Sequence, residues 1–387
     1  MSVAHPTPGF DAMLADLVAC PSVSSTSPEF DQGNLGVINT LANWLEALGF
    51  ACEVQPLPDR PGKGNLIARL GAGDDGLVLA GHTDTVPFDA DLWQQDPFQV
   101  KATDAAWFGL GTCDMKGFFP LVVETVSQFR ARDLRAPVTV IATSDEESSM
   151  AGARLLAAKA ETKARYAVIG EPTNLVPVYA HKGIMMIGIR LDGASGHSSD
   201  PSLGNNALDA MHAVMGELLA FRAELAANYT NPAFQVQVPT LNLGCLRAGD
   251  NPNRICGHAE LQIDLRLLPG MDSDAFFEAL TRRVNAVSEC FGTRCCVTRF
   301  YPPVPPFAGA DDGLLALTLA ELSGAAPDVV AFGTEGPFLQ QLGMETVIFG
   351  PGSIDQAHQP NEFLERAHVA RGRKILSGLI ERLCVRI

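Results

Sequence analysis

The first half of the chain alternates solid apolar runs with amphipathic stretches. Over residues 34–49, Leu35, Ile38, Leu41, Ala42, Leu45 and Leu48 recur at helical spacing and Gly49 supplies a stop, a pattern that predicts one amphipathic helix. Residues 77–80 form a short, wholly apolar run, the kind of strand that is buried on both faces. Further on, the pattern predicts a helix over 117–130, a strand over 138–142, a helix over 151–159 and a strand over 166–169. Strands alternating with helices predict an α/β unit, a mixed and mostly parallel sheet covered by helices.

Near residue 183 the period changes. Residues 184–191 and 259–267 alternate polar with apolar: Leu261, Ile263, Leu265 and Leu267 face one side, and Gln262, Asp264 and Arg266 the other. One-sided strands predict an antiparallel sheet with a solvated face. With helices over 205–225 and 273–287, the order through about residue 297 reads strand–helix–strand–strand–helix–strand, a small inserted α+β unit. The Pro-rich YPPVPP segment after it marks the return to the first pattern. The predicted organisation is therefore one domain from 1–182 and 298–387, interrupted by a second at 183–297.

Composition narrows the function. A chain of 387 residues is long enough for two hydrophobic cores. A net charge of −16 leaves no basic stripe for nucleic acid. No apolar stretch reaches the ~18 residues that a membrane span needs. Residues 1–10 lack the basic and apolar regions of a secretory signal. Nine scattered cysteines without a CxxC pair suit a reducing, cytoplasmic setting and argue against a thiolate zinc site.

The chemistry is concentrated where the buried strands end. His82 and Asp84 follow the run at 77–80; Asp145, Glu146 and Glu147 follow the one at 138–142; Glu171 follows 166–169. Asp114 stands in the Gly-rich turn before the helix at 117–130, where it also suits an N-cap, as Ser144 and Asp145 suit the next helix. His358 follows a fourth apolar run, 346–349. Open α/β sheets bind ligands at the carboxyl ends of their strands, so these groups converge on one edge. Singly, each acid reads more readily as a helix cap or a loop end than as a ligand. Together they would repel unless cations sat among them, and oxygen and imidazole donors without thiolate suit zinc, cobalt or manganese. Two metals need about five or six ligands. His82, Asp114, Glu147, Glu171 and His358 supply them, leaving Glu146 to deprotonate a hydrolytic water and Asp84 to accept the second ring N–H of His82. The glycines at 109–111 lack the rest of a dinucleotide fingerprint, and Ser195 in GASGH lies in no nucleophile elbow.

The strings GHTDTVP (81–87), GLGTCDMKG (109–117), TSDEESSMAGA (143–153), IGEPT (169–173), GHSSDPSLGNNA (196–207), NRICGHAELQIDLRLLPGM (253–271) and GPGSIDQAHQPNE (350–362) resemble the M20 metallopeptidase family, in order and over nearly the whole chain. The last two strings are closest to its amino-acid deacetylases. The resemblance implies two divalent metal ions per subunit, Zn2+ or Co2+. It makes Asp114 the bridging ligand, with His82 and Glu171 completing one site and Glu147 and His358 the other. It makes Glu146 the general base and Asp84 the residue that orients His82. It further implies that the inserted domain forms a homodimer and that His197 reaches the partner's active site to steady the oxyanion. By position, Asn253 and Arg266, helped by Arg254, resemble groups that bind the substrate carboxylate; His181 and Lys182 stand where related enzymes place substrate-facing basic residues, at the hinge into the insertion; Thr334 and Glu335 line the pocket, Glu335 facing a substrate ammonium. The implied substrate is a small N-acyl amino acid. A broader acyl-amino-acid deacylase, a dipeptidase and a non-catalytic metal-binding regulator stand as alternatives.

Overall fold

The computed structural model describes residues 7–385, so most of the 1–10 segment considered above lies outside the described residues. Two compact units emerge, one of Met1–Tyr179, Gly309–Asp328 and Thr334–Ile387, the other of Ala180–Ala308 and Val329–Gly333.

The first unit is built on a mixed sheet. Its strands run Ala51–Pro56, Gly64–Leu70, Val138–Thr143, Leu77–His82, Tyr166–Ile169, Glu345–Ile348 and the start of Val178–His181, in that spatial order. The four central strands are parallel, with Leu77 opposite Val138 and Tyr166, and Val347 opposite Val168. The two preceding strands and Val178–His181 pair antiparallel, giving a mixed, partly parallel sheet. Leu77–His82 and Val138–Thr143 are buried at every position, as their unbroken apolar runs require. Burying each such Leu or Val stabilises the fold by about 1.5–3 kcal/mol. The first amphipathic stretch is a helix, Leu35–Ala47, that buries Val37, Ile38, Leu41, Ala42, Trp44 and Leu45; Leu35 and Leu48, at its ends, are only half-buried.

Two local expectations are corrected. The helix expected over 117–130 is shorter, Phe118–Val126, and Gly117 rather than Asp114 precedes it. The helix Ala151–Lys159 follows Met150, without a side-chain cap from Ser144 or Asp145. Both acids serve elsewhere, as described below.

The second unit holds the strands Gly183–Asp192, Thr240–Ala248, His258–Leu267 and Arg294–Arg299 with the helices Ala207–Asn228 and Ser273–Cys290. Its antiparallel sheet runs Thr240–Ala248, His258–Leu267, Gly183–Asp192, Arg294–Arg299. Leu261, Ile263, Leu265 and Leu267 point into its core and Arg266 is half-exposed, following the period of two. The chain stays in this unit as far as Ala308 because Phe307 pairs with His181 and Val304 with Ile184. No helix among the described residues is long and apolar enough to cross a membrane.

Candidate metal centre

Three parallel strands deliver their following residues to one edge of the first unit's sheet. Leu77–His82 ends in His82, opposite Thr143; the turn beyond Thr143 carries Glu146 and Glu147, and the turn beyond Ile169 carries Glu171. Gly81 keeps the approach open, since a Cβ there would stand 2.3 Å from Met115 Cε, next to Asp114.

Asp114 is the hub. Its Oδ1 lies 3.0 Å from His82 Nε2, and its Oδ2 lies 3.4 Å from His358 Nε2. His358 Nε2 also sits 3.1 Å from both carboxylate oxygens of Glu147, and His82 Nε2 sits 3.7 Å from Glu171 Oε1. Donor atoms of His82, Asp114 and Glu147 all fall within 4.8 Å of one another, as do those of His82, Glu146 and Glu171. The five expected ligands and Glu146 thus meet in one cluster. Glu146 stands beside His82 and Glu171.

The second ring nitrogen of His82 corrects the expectation for Asp84. His82 Nδ1 donates to the main-chain carbonyl of Asp84 at 3.0 Å, while the Asp84 carboxylate is 3.8 Å away and accepts the Glu147 N–H at 3.0 Å. A two-residue extended step brings the carbonyl closer than the side chain can come. The tautomer is still fixed, with Nε2 turned to the acids.

Electrostatically the cluster is short of positive charge. Burial and the neighbouring carboxylates Glu171, Glu147 and Glu335 push Glu146 well above the usual carboxylate range, His82 only partly offsetting them. Glu171 is pushed up in the same way, by burial and by Asp114, Glu147 and Glu335. Burial opposes charge on His82, yet its bond to Asp114 and the charges of Glu171 and Asp114 hold it well above its ordinary value. His358, bonded to Asp114 and Glu147, is raised to about 10. Two carboxyl oxygens here, Asp84 Oδ1 and Glu335 Oε1, are buried without a hydrogen bond. Imidazole donors set among carboxylates that repel one another fit divalent cations at this position.

Other predicted residues fall into two groups. In the first unit, Thr334 is buried with Oγ1 accepting the Gly336 N–H, and Glu335 is buried close enough to raise Glu146 and Glu171. Burial lifts Glu335 to about 7, against a hydrogen bond from Thr143. In the second unit, His197, Asn253 and Arg254 line one shallow pocket with Ser195 and Gly196. His197 Nδ1 accepts from the Ser199 N–H at 3.2 Å, which leaves the proton on Nε2. Arg254 pairs with Asp250, and Arg266 with Asp264 at 2.9 Å. His181 is buried, Nδ1 donating to the Lys182 carbonyl. Lys182 departs from its expected role: its ammonium donates to the carbonyls of Val236 and Val238 at 2.7 and 2.8 Å.

Two supporting roles, those of Asp145 and Glu362, were not legible in the sequence. Asp145 is a left-handed residue, φ 62°, immediately before Glu146. Its buried carboxylate takes the Lys63 ammonium at 2.6 Å, the Ser24 hydroxyl at 3.0 Å and the Arg60 guanidinium. Glu362, also buried, accepts three main-chain N–H groups from the Asp114 turn. Burial and the Asp114 charge raise it to about 8 against those bonds. Lys63 lies 82 residues from Asp145, so no local pattern links them; Glu362 closes the GPGSIDQAHQPNE string, which marked the place without a role.

The family model described as peptidase family M20/M25/M40 matches residues 78–382. The acetylornithine deacetylase of Klebsiella pneumoniae is 45% identical over 377 residues, covering 97% of this chain and 98% of the relative. That of Photorhabdus laumondii is 42% identical over 378 residues, covering 98% of each. Among solved structures, a Staphylococcus aureus tripeptidase superposes with a TM-score of 0.77 at 18% identity, covering 97% of each chain, a likeness of fold.

Proposed function

The chain belongs to the peptidase family M20/M25/M40, and from that premise we propose that it is a metal-dependent amidohydrolase converting N2-acetyl-L-ornithine to L-ornithine and acetate. The reading rests on the Asp114 carboxylate set between His82 and His358 in an acid-rich cluster, in a chain whose relatives at 42–45% identity span it almost end to end.

Asp114 would be shared by two divalent cations, zinc or cobalt by donor type, with His82 and Glu171 on one side and Glu147 and His358 on the other. When bound, the cations supply Lewis-acid polarisation of the amide carbonyl and lower the pKa of water. Glu146 takes the proton of the attacking water and returns it to the leaving amine. Asp84 holds His82 in register through its main-chain carbonyl and supports the Glu147 N–H through its side chain. Glu335, a buried acid with Oε1 unpartnered, suits the substrate's side-chain ammonium, with Thr334 beside it. His197, with its proton on Nε2, donates to the developing oxyanion in the partner subunit of a homodimer formed through the second unit. Asn253 and Arg254, in the same pocket as His197, with Arg266, take the substrate carboxylate. The setting is cytoplasmic, where nine unpaired cysteines stay reduced.

Amide hydrolysis, read as release of free α-amino groups, tests the reading. Chelated protein should be inactive on N2-acetyl-L-ornithine, recover with zinc or cobalt, and turn over acetylmethionine and a dipeptide more slowly. Faster turnover of either competitor would replace the substrate assignment; no metal-dependent release from any of the three would remove the activity.

A further inference from the structure

Asp114 and His358 leave the same end of one β-ribbon. The strands Ala106–Phe108 and Phe363–Glu365 pair antiparallel, with Phe108 opposite Phe363. Beyond Phe108 the chain runs into the turn that carries Asp114; before Phe363 it comes from the loop that carries His358. Glu362 stands at that exit. Its main-chain carbonyl accepts the Gly109 N–H at 3.0 Å, continuing the ribbon by one bond. Its carboxylate then turns across the gap: Oε1 accepts the N–H of Cys113 at 2.6 Å and of Asp114 at 2.9 Å, and Oε2 accepts that of Gly111 at 2.9 Å.

The placement is costly and specific. Glu362 is 2% exposed, lies close to another acid and receives only main-chain donors. A buried carboxylate on neutral N–H groups serves the geometry of those groups, since each N–H would otherwise be unsatisfied. The turn it grips passes through a left-handed Gly111, φ 78°, where a Cβ would stand 2.7 Å from Thr85 Cγ2. Glu362 therefore fixes where the Asp114 carboxylate points relative to His358, four residues before Glu362 itself.

We propose that Glu362 is a positioning residue that locks the Asp114 turn to the His358 loop, so that Asp114 can face both histidines at once. The proposal rests on reading Asp114 as a ligand shared by two cations. Without the carboxylate, the turn keeps its chain path but loses three anchors, and the shared ligand drifts from one histidine. Groups that orient a ligand from behind typically carry 10–100-fold in metal affinity.

The test is cobalt titration of metal-stripped full-length protein, read by bound stoichiometry and by the visible absorption of Co2+, with circular dichroism melting as the check on folding. Wild type should bind two Co2+. Folded E362A should bind the first with near-normal affinity and the second roughly 10–100-fold more weakly. Its lost activity should return at high Co2+, a rescue that a damaged fold would not give. E362Q keeps one acceptor oxygen but turns an amide N–H toward Gly111, so its loss should be smaller; it carries the test if E362A does not fold. Two Co2+ bound at wild-type affinity and with the wild-type spectrum by folded E362A, or by E362Q in its place, overturns the proposal. A wild type that binds fewer than two Co2+ overturns the shared-ligand reading beneath it.

Discussion

His82 Nε2 and Asp114 Oδ1 stand 3.0 Å apart, and the other oxygen of the same carboxylate faces His358. One side chain therefore addresses both halves of the cluster. Asp114→Ala should lower the occupancy of both cation positions, whereas Glu171→Ala and Glu147→Ala should each weaken one. Elemental analysis after dialysis against limiting metal distinguishes the cases, and a normal two-metal stoichiometry in the Asp114 variant rules out sharing.

The buried Lys63–Asp145 pair makes a separate prediction. Both side chains are almost completely buried, and Asp145 sets the turn that presents Glu146 and Glu147. Lys63→Met leaves the Asp145 carboxylate with Arg60 and Ser24 and takes the ammonium from Asp31 as well, so it should destabilise by less than the ~3 kcal/mol of a fully unpaired buried charge. It should also lower kcat, because the turn loses its orientation. Lys63→Met combined with Asp145→Asn should cost less than the sum of the two single variants in urea unfolding. Strict additivity would show that the pair is not coupled.

Metal removal should make stability depend on pH. Burial raises the folded-state Asp84 to about 6 and Glu335 to about 7, while Glu146 and Glu171 also lie well above the carboxylate range. An acid whose folded pKa is raised binds more protons in the folded state. Its stabilising effect is present in full below the unfolded pKa of about 4–4.5 and is lost as pH rises through the folded value. The melting temperature of chelated protein should therefore fall between pH 5 and roughly 8. Metal-loaded protein should melt higher, because cations bind the folded state, and should lose less over the same range. Equal pH slopes for the two forms would contradict a cation-balanced cluster.

If His197 serves the partner subunit, each active site is assembled from two chains. A mixture of His197→Ala and Glu146→Gln proteins, each nearly inactive, should regain activity after subunits exchange. A heterodimer has one site with both defects and one with neither, so equal mixing should restore about a quarter of wild-type sites. Exchange is verified with two differently tagged wild-type chains. No recovery despite proven exchange would return His197 to its own chain or to the turn it occupies.

What the sequence made legible was what depends on period and on strand ends. Solid apolar runs marked Leu77–His82 and Val138–Thr143, and the acids and imidazoles beyond them were found together because parallel strands end on one edge. The change to alternation marked the sheet of the second unit. What stayed hidden depends on contacts between distant segments. Lys63 reaches Asp145 across 82 residues, and Glu362 reaches Asp114 across 248. His82 uses the Asp84 carbonyl, a choice set by backbone path and invisible in residue type. Lys182, a basic residue suited to an anionic substrate, instead caps two carbonyls of the 236–238 segment.

The most direct test of the account is the division of labour between Glu146 and Glu147. In Glu146→Gln the amide keeps the shape of the side chain but cannot take the proton of water. Metal content and kcat, measured on the same preparation with N2-acetyl-L-ornithine, decide the matter. Near-normal metal with kcat lowered at least ~10²-fold, the scale of a positioned acid–base group, is the expected result. Metal lost in proportion to activity would make Glu146 a ligand and contradict the proposed mechanism.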